Sequence, residues 1–164
     1  MASIATEFGP SAFKNQMPAL IDYINKFLKK ETYCQGGSAE VEGDEEVEDD
    51  DDDDEEEEDE DEDIDHDEII LGNVVDLINE LSRIYGDFFV EAFNAMAPNI
   101  VEYTKDTHPK NDRNAALGCF AETFCNSPAL IPQYFNDYWI LVTSMAGNDS
   151  KINRNVAYAT GVLA

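Results

Sequence analysis

Apolar residues recur along this chain at alternating steps of three and four, the spacing that keeps side chains on one stripe of a helix. Phe13, Met17, Leu20, Ile24 and Phe27 form the first such stripe. Ser11 can cap it, Lys29 and Lys30 suit its carbonyl end, and Gly36-Gly37 breaks it. A second stripe, Ile70, Val74, Leu77, Leu81 and Ile84, follows Asp67 as N-cap and is interrupted at Gly86-Asp87. Phe89, Phe93, Met96 and Ile100 define a third helix that ends before His108-Pro109, with Pro98 predicting a kink or a nearby start. Asn111 or Asp112 can cap a fourth, which points Ala116, Leu117, Phe120, Ala121 and Phe124 inward and stops at Ser127-Pro128. Pro132 suits the first turn of a fifth carrying Phe135, Trp139, Val142 and Met145, with Gly147 as its stop, and Ser150 opens a last amphipathic segment. No stretch alternates with period two, so the chain reads as all-α.

The helices repeat. Arg113-Asn114 recurs as Arg154-Asn155 at an offset of 41, GCFA at 118–121 resembles GVLA at 161–164, and Phe93 and Phe135 open apolar stripes 42 apart. FKNQMP at 13–18 and FNAMAP at 93–98 both place proline five residues after phenylalanine, at an offset of 80. Subtracting one unit of 42 from that offset leaves 38 residues, close to the 35 of residues 34–68, which places an insertion between the two repeats. A period near 40 built from two antiparallel helices is the signature of HEAT-type α-solenoids, in which stacked neighbours supply the core that one unit lacks. The chain therefore divides into a second helix of a partial repeat (1–33), an insertion (34–68), two repeats (69–110 and 111–149) and the first helix of a further one (150–164). A stop inside an apolar helix gives it the look of a piece of a longer solenoid. The competing architecture is a five- or six-helix bundle with an acidic loop.

Charge changes the picture at one place. Of 37 acidic residues, 24 fall between 40 and 68, where there is no Lys or Arg, which leaves 13 acidic against 10 basic elsewhere. Asp49, Asp50, Asp51, Asp52, Asp53, Asp54, Glu55, Glu56, Glu57, Glu58, Asp59, Glu60, Asp61, Glu62 and Asp63 follow one another without a break. Neighbouring carboxylates about 3.5 Å apart repel well inside a screening length of about 8 Å, so an extended, solvated, disordered loop is expected. Such a line of charge gathers counterions that a Lys- or Arg-rich protein releases on binding, while nucleic acid is repelled. A purely solubilising loop is the plainer reading. Asp61, Asp63 and Asp65 do not make an EF-hand, because His66 stands where the loop requires glycine.

Three cysteines, Cys34, Cys119 and Cys125, lack metal-type spacing and fit a reducing compartment. Cys119 and Cys125 read as small core residues, and His66 and His108 as solvent-exposed loop residues. No cofactor motif, phosphate loop or catalytic triad occurs, no apolar run spans a membrane, and no enzyme is indicated.

DRNAALGCFAE at 112–122 and NRNVAYATGVLA at 153–164 resemble first helices of consecutive HEAT repeats in importin-β-type nuclear transport receptors (karyopherin-β). VVDLINELSRIYGDFFVEAFNAMAPNIV at 74–101 resembles the helix pair that follows an acidic stretch in the importin-4 and importin-5 branch. The likeness covers 69–164 well and 8–33 loosely. It implies a superhelix whose second helices line a concave face, which carries basic cargo such as core histones and ribosomal proteins between cytoplasm and nucleus. Through the full-length receptor it implies contact with Phe-Gly nucleoporins and release of cargo by Ran-GTP. Repeats resembling the Ran-binding region are not in this sequence. On such a second helix Asn136, Asp137 and Trp139 are candidate cargo contacts together with the run 49–63, although a lone Trp on an apolar stripe is more often core. Other classes fit parts of the pattern: a histone chaperone or acidic scaffold, and a HEAT scaffold resembling phosphatase subunits.

Overall fold

Apolar stripes punctuated by glycine and proline leave the backbone little choice but short helices joined by tight turns, since an interrupted helix can bury its stripe only by folding back on a neighbour. The computed structural model describes residues 15–35, 66–147 and 150–164. Its helices are α1 (Met17–Leu28), α2 (His66–Tyr85), α3 (Val90–Glu102), α4 (Lys110–Asn126), α5 (Ile131–Met145) and α6 (Ser150–Leu163). Short 3₁₀ turns, Gly86–Phe89 and Pro128–Leu130, reverse the chain between α2 and α3 and between α4 and α5. There is no strand among the described residues.

The helices form two layers. First helices α2, α4 and α6 stack side by side, while α1 packs on α3, and α5 packs against α4 and α6. This is an all-α solenoid of HEAT-type helix pairs. Its middle member, α4, buries Leu117, Cys119, Phe120, Ala121, Thr123 and Phe124, residues that go round the helix rather than down one stripe, because neighbours enclose it. Burial raises the Cys119 thiol to about 12, so it stays protonated. An aromatic cluster joins the layers: Phe93 meets Phe120 nearly perpendicularly at 5.5 Å, and Phe124 meets Tyr138 at 4.9 Å. Edge-to-face pairs of this kind contribute about 0.5–1.5 kcal/mol beyond the area they bury.

The repeat is visible in hydrogen bonds between equivalent positions. Ser127 Oγ donates to the Gly86 carbonyl at 2.7 Å, 41 residues away, and Asn155 Nδ2 donates to Asn114 Oδ1 at 2.9 Å over the same separation. The Ala129 amide donates to Asp87 Oδ1 at 3.2 Å, and Tyr134 Oη donates to Asn94 Oδ1 at 2.7 Å, separations of 42 and 40. Gly86 has φ +53, and its carbonyl accepts the buried Ser127 hydroxyl, so the turn of one unit is pinned to the turn of the next.

Several local expectations change. α2 begins at His66, and Asp67 instead pairs with Lys30 Nζ at 2.5 Å. In α2 the deepest residues are Leu71, Ile78 and Leu81 rather than Ile70, Leu77 and Ile84, because the helix faces both α1 and α4 and needs two stripes. α3 runs through Pro98, which is exposed, and ends at Glu102, just past the last stripe residue Ile100 and ahead of His108-Pro109. α4 starts at Lys110 behind Pro109, ahead of the expected Asn111 or Asp112 cap. Cys125 is exposed, unlike Cys119. His108 is half-buried, its ring 4.8 Å from Tyr103 and its Nδ1 3.8 Å from Asp112 Oδ2. Ser11, Phe13 and Gly36-Gly37 lie outside the described residues.

Candidate functional site

The site begins with the orientation of α5. Tyr138, Val142 and Met145 are buried, with Tyr134 and Leu141 half-buried beside them, so the helix turns Asn136, Asp137, Trp139 and Ile140 outward. Tyr138 Oη donates to the Leu117 carbonyl at 2.9 Å, which locks that orientation, and burial lifts the phenol above its ordinary range. The core expectation for Trp139 therefore fails. Its side chain is 43% exposed and lies parallel to Phe135, ring centroids 6.5 Å apart. The apolar stripe runs one residue earlier than Phe135-Trp139 suggests, because Tyr134 and Tyr138 reach the phenylalanine cluster and still satisfy their hydroxyls.

Between α3 and α5 the surface opens into a cleft of about 160 Å³ lined by Val101, Thr104, Phe120, Tyr134, Asp137, Tyr138 and Leu141. Of the sequence candidates only Asp137 lines it; Asn136 and Trp139 stand on neighbouring positions of α5. Val101, Thr104 and Leu141 went unnoticed in the sequence. The 40-residue separation that pairs Asn94 with Tyr134 is the signal that could have brought α3 and α5 together.

The run Asp49 to Asp63 lies outside the described residues. The chain on either side of it is anchored. Just past the end of α1, Lys30 stands at φ +58, where the Lys30 amide donates to Phe27 O and the Glu31 amide to Lys26 O, a closure that usually employs glycine. In that conformation Lys30 meets Asp67, and Tyr103 Oη donates to the Leu28 carbonyl at 2.8 Å. The Asp67 carboxyl is held below its usual range and the Lys30 ammonium above its own, each chiefly by the hydrogen bond between them. Residues 30 and 67, which bracket the acidic run in sequence, are thus in direct contact.

On the opposite layer an open groove of about 440 Å³ crosses α2, α4 and α6, with Glu68, Asp76 and Glu122 among carboxamides from Asn79, Asn111, Asn114 and Asn155. No Lys or Arg lines it.

Two faces of helices, one presenting a carboxylate beside aromatic rings and the other an open polar groove, on a stack of repeated hairpins, define a helical-repeat protein. Residues 8–106 match the family model described as Importin repeat 6, more than half of the chain. The chain belongs to this importin-β family, a family of nuclear transport receptors and not of enzymes. The matched span takes in the acidic run and α1 to α3 and stops before α4. No curated protein and no solved structure gives a significant match.

Proposed function

We propose that this chain is part of a nuclear import receptor of the importin-4 and importin-5 branch, and that it binds basic protein cargo such as core histones and ribosomal proteins. Membership of the importin repeat family carries the reading. The concentration of 24 carboxylates between residues 40 and 68, with no cation among them, supplies the chemistry for a Lys- and Arg-rich partner. Asp137 on the outer side of α5 adds a carboxylate from the solenoid itself, with Asn136 and Trp139 beside it. In this reading the receptor moves between cytoplasm and nucleus, touches Phe-Gly nucleoporins at the pore and gives up cargo to Ran-GTP, without contacting nucleic acid or membrane.

Binding of labelled histone-tail and ribosomal-protein peptides, followed by fluorescence anisotropy across a salt series, tests it. Affinity is expected to fall steeply with salt and to drop when residues 40–68 are deleted. Equal binding by the deleted chain at physiological salt removes the role given to the acidic run. The other reading, a histone chaperone without transport, shares the acidic run; retention on immobilised Phe-Gly repeats supports the receptor, and its absence supports the chaperone.

A further inference from the structure

We infer that the cavity at the start of α4 is a binding site for a glutamate side chain of an acidic partner segment, a ligand opposite in charge to the cargo read above and independent of that reading. α4 begins at Lys110, and Ser127 just past its far end bonds to Gly86, so the cavity lies at the other border of the stack. It measures about 290 Å³, with Lys110 and Arg113 on the α4 side and Met145, Ala146 and Ile152 on the side of α5 and α6. Two cations in this place run against the local rule. The N-terminal turn is the positive end of a helix dipole, where carboxylates belong, and like charges three residues apart repel. Pro109, at the cap position, makes no side-chain bond that would relieve that end. Asp112, the acidic residue of the turn, lies 3.8 Å from His108 Nδ1 and does not line the cavity. Lys110 has no ion-pair partner among the described residues. The Arg113 guanidinium reaches Asp106 at 2.7 Å through one terminal nitrogen, while its Nε is buried without a hydrogen-bond partner.

Other polar groups on the walls are already engaged. The Gly147 amide donates to Asn153 Oδ1 at 3.1 Å, and the Gly147 carbonyl accepts from Asn153 Nδ2. The Ser144 hydroxyl donates to the Leu141 carbonyl at 2.8 Å. What the cavity offers an occupant is an ammonium and the Arg113 Nε–H beside the apolar surface of Met145 and Ile152. A ligand that fits must bring acceptors and negative charge on a short apolar stem. A carboxylate on two methylene groups meets each requirement, with one oxygen for Arg113 Nε, the other for the Lys110 ammonium, and the stem against Met145 and Ile152. Asp106 already offsets one of the two positive charges, which matches the site to a single carboxylate and not to a dianionic phosphate.

Methyl NMR on the intact chain provides the test, since the Met145 and Ile152 methyls report from the walls of the cavity. The probe is a Gly-Ser peptide, blocked at both ends and carrying one glutamate, compared with the same peptide carrying glutamine or phosphoserine. Glutamate peptide is expected to shift both methyls saturably and glutamine peptide to leave them unmoved. Lys110→Gln, a change at an exposed position, is expected to weaken the response roughly tenfold, the scale of one charge-assisted hydrogen bond. Arg113→Lys keeps the charge, loses the Nε donor and is expected to weaken it as well. Asp106→Asn, which frees the second positive charge, is expected to strengthen it, an effect that a loss of structure would not produce. The absence of a saturable shift, equal shifts by glutamate and glutamine peptides, a response untouched by Lys110→Gln, or a phosphoserine response stronger than the glutamate one overturns the assignment. The cargo test uses basic peptides, so either reading can fail without the other.

Discussion

Lys30 holds a left-handed backbone conformation that costs a residue other than glycine about 1–2 kcal/mol, and what offsets the strain is its contact with Asp67. The sign of the pH dependence follows from the two shifts. The Asp67 carboxyl is depressed, so its contribution is complete above its ordinary value near 4 and disappears as pH falls through the depressed value. The Lys30 ammonium is raised, so its share is complete below its ordinary value of about 10.4 and is lost only as pH rises through the raised one. Asp67→Asn is therefore expected to cost about 0.5–1 kcal/mol at neutral pH, a figure kept low because both side chains are partly solvated. Urea unfolding at neutral pH and again in acid checks this, because the difference from the parent chain should close as the Asp67 carboxyl becomes protonated. In the Asp67→Asn background, Lys30→Gly should stabilise by about 1 kcal/mol, since strain then remains without its compensation. Neither effect was legible beforehand. A lysine at a helix end looks like a dipole partner, and only the contact between α1 and α2 shows that Lys30 has a specific carboxylate to meet.

At the scale of helices, the difference between α4 and α5 governs what mutations do. Phe124 on α4 is fully buried in the aromatic cluster, whereas Trp139 on α5 is a larger ring that sits 43% exposed against Phe135. Phe124→Ala should cost about 3–5 kcal/mol through the cavity it leaves, while Trp139→Ala should cost under about 1 kcal/mol. Thermal or denaturant unfolding of the two variants ranks them, and equal losses would mean that Trp139 is core after all. The inward residues of α3 and α4, Phe93, Met96, Ile100, Leu117, Phe120 and Phe124, were readable from three-four spacing, although α4, enclosed by its neighbours, buries Cys119 and Thr123 as well. α5 misled by one residue. Its aromatic positions on both sides of the true stripe carry comparable hydrophobicity, and what orients it is a hydroxyl finding the Leu117 carbonyl, which periodicity does not encode.

In the molecule as a whole, each helix pair bonds to its neighbour at a separation of about one repeat, so stability should be distributed unit by unit. Ala159 in α6 is fully buried against its neighbours. Ala159→Glu should strip amide-exchange protection from α6 and leave α2 and α3 as protected as before, whereas one cooperative bundle would lose protection throughout. The period of about 41 was legible from Arg113-Asn114 and Arg154-Asn155, and one member of each pair, Asn114 and Asn155, proves to bond to the other. The cleft at Asp137 was not, because its walls come from two units that only stacking brings side by side.

The bonds from Ser127 to Gly86 and from Ala129 to Asp87 tie together the turns along one border of the stack. A strip fastened along one border does not stretch there; it fans. Load applied along the superhelix would thus be taken up as rotation of one hairpin against the next, with the stitched turns as the pivot and the far ends of the helices travelling most. Small changes of angle at each pivot would add along the stack, so that its curvature becomes a soft mechanical coordinate.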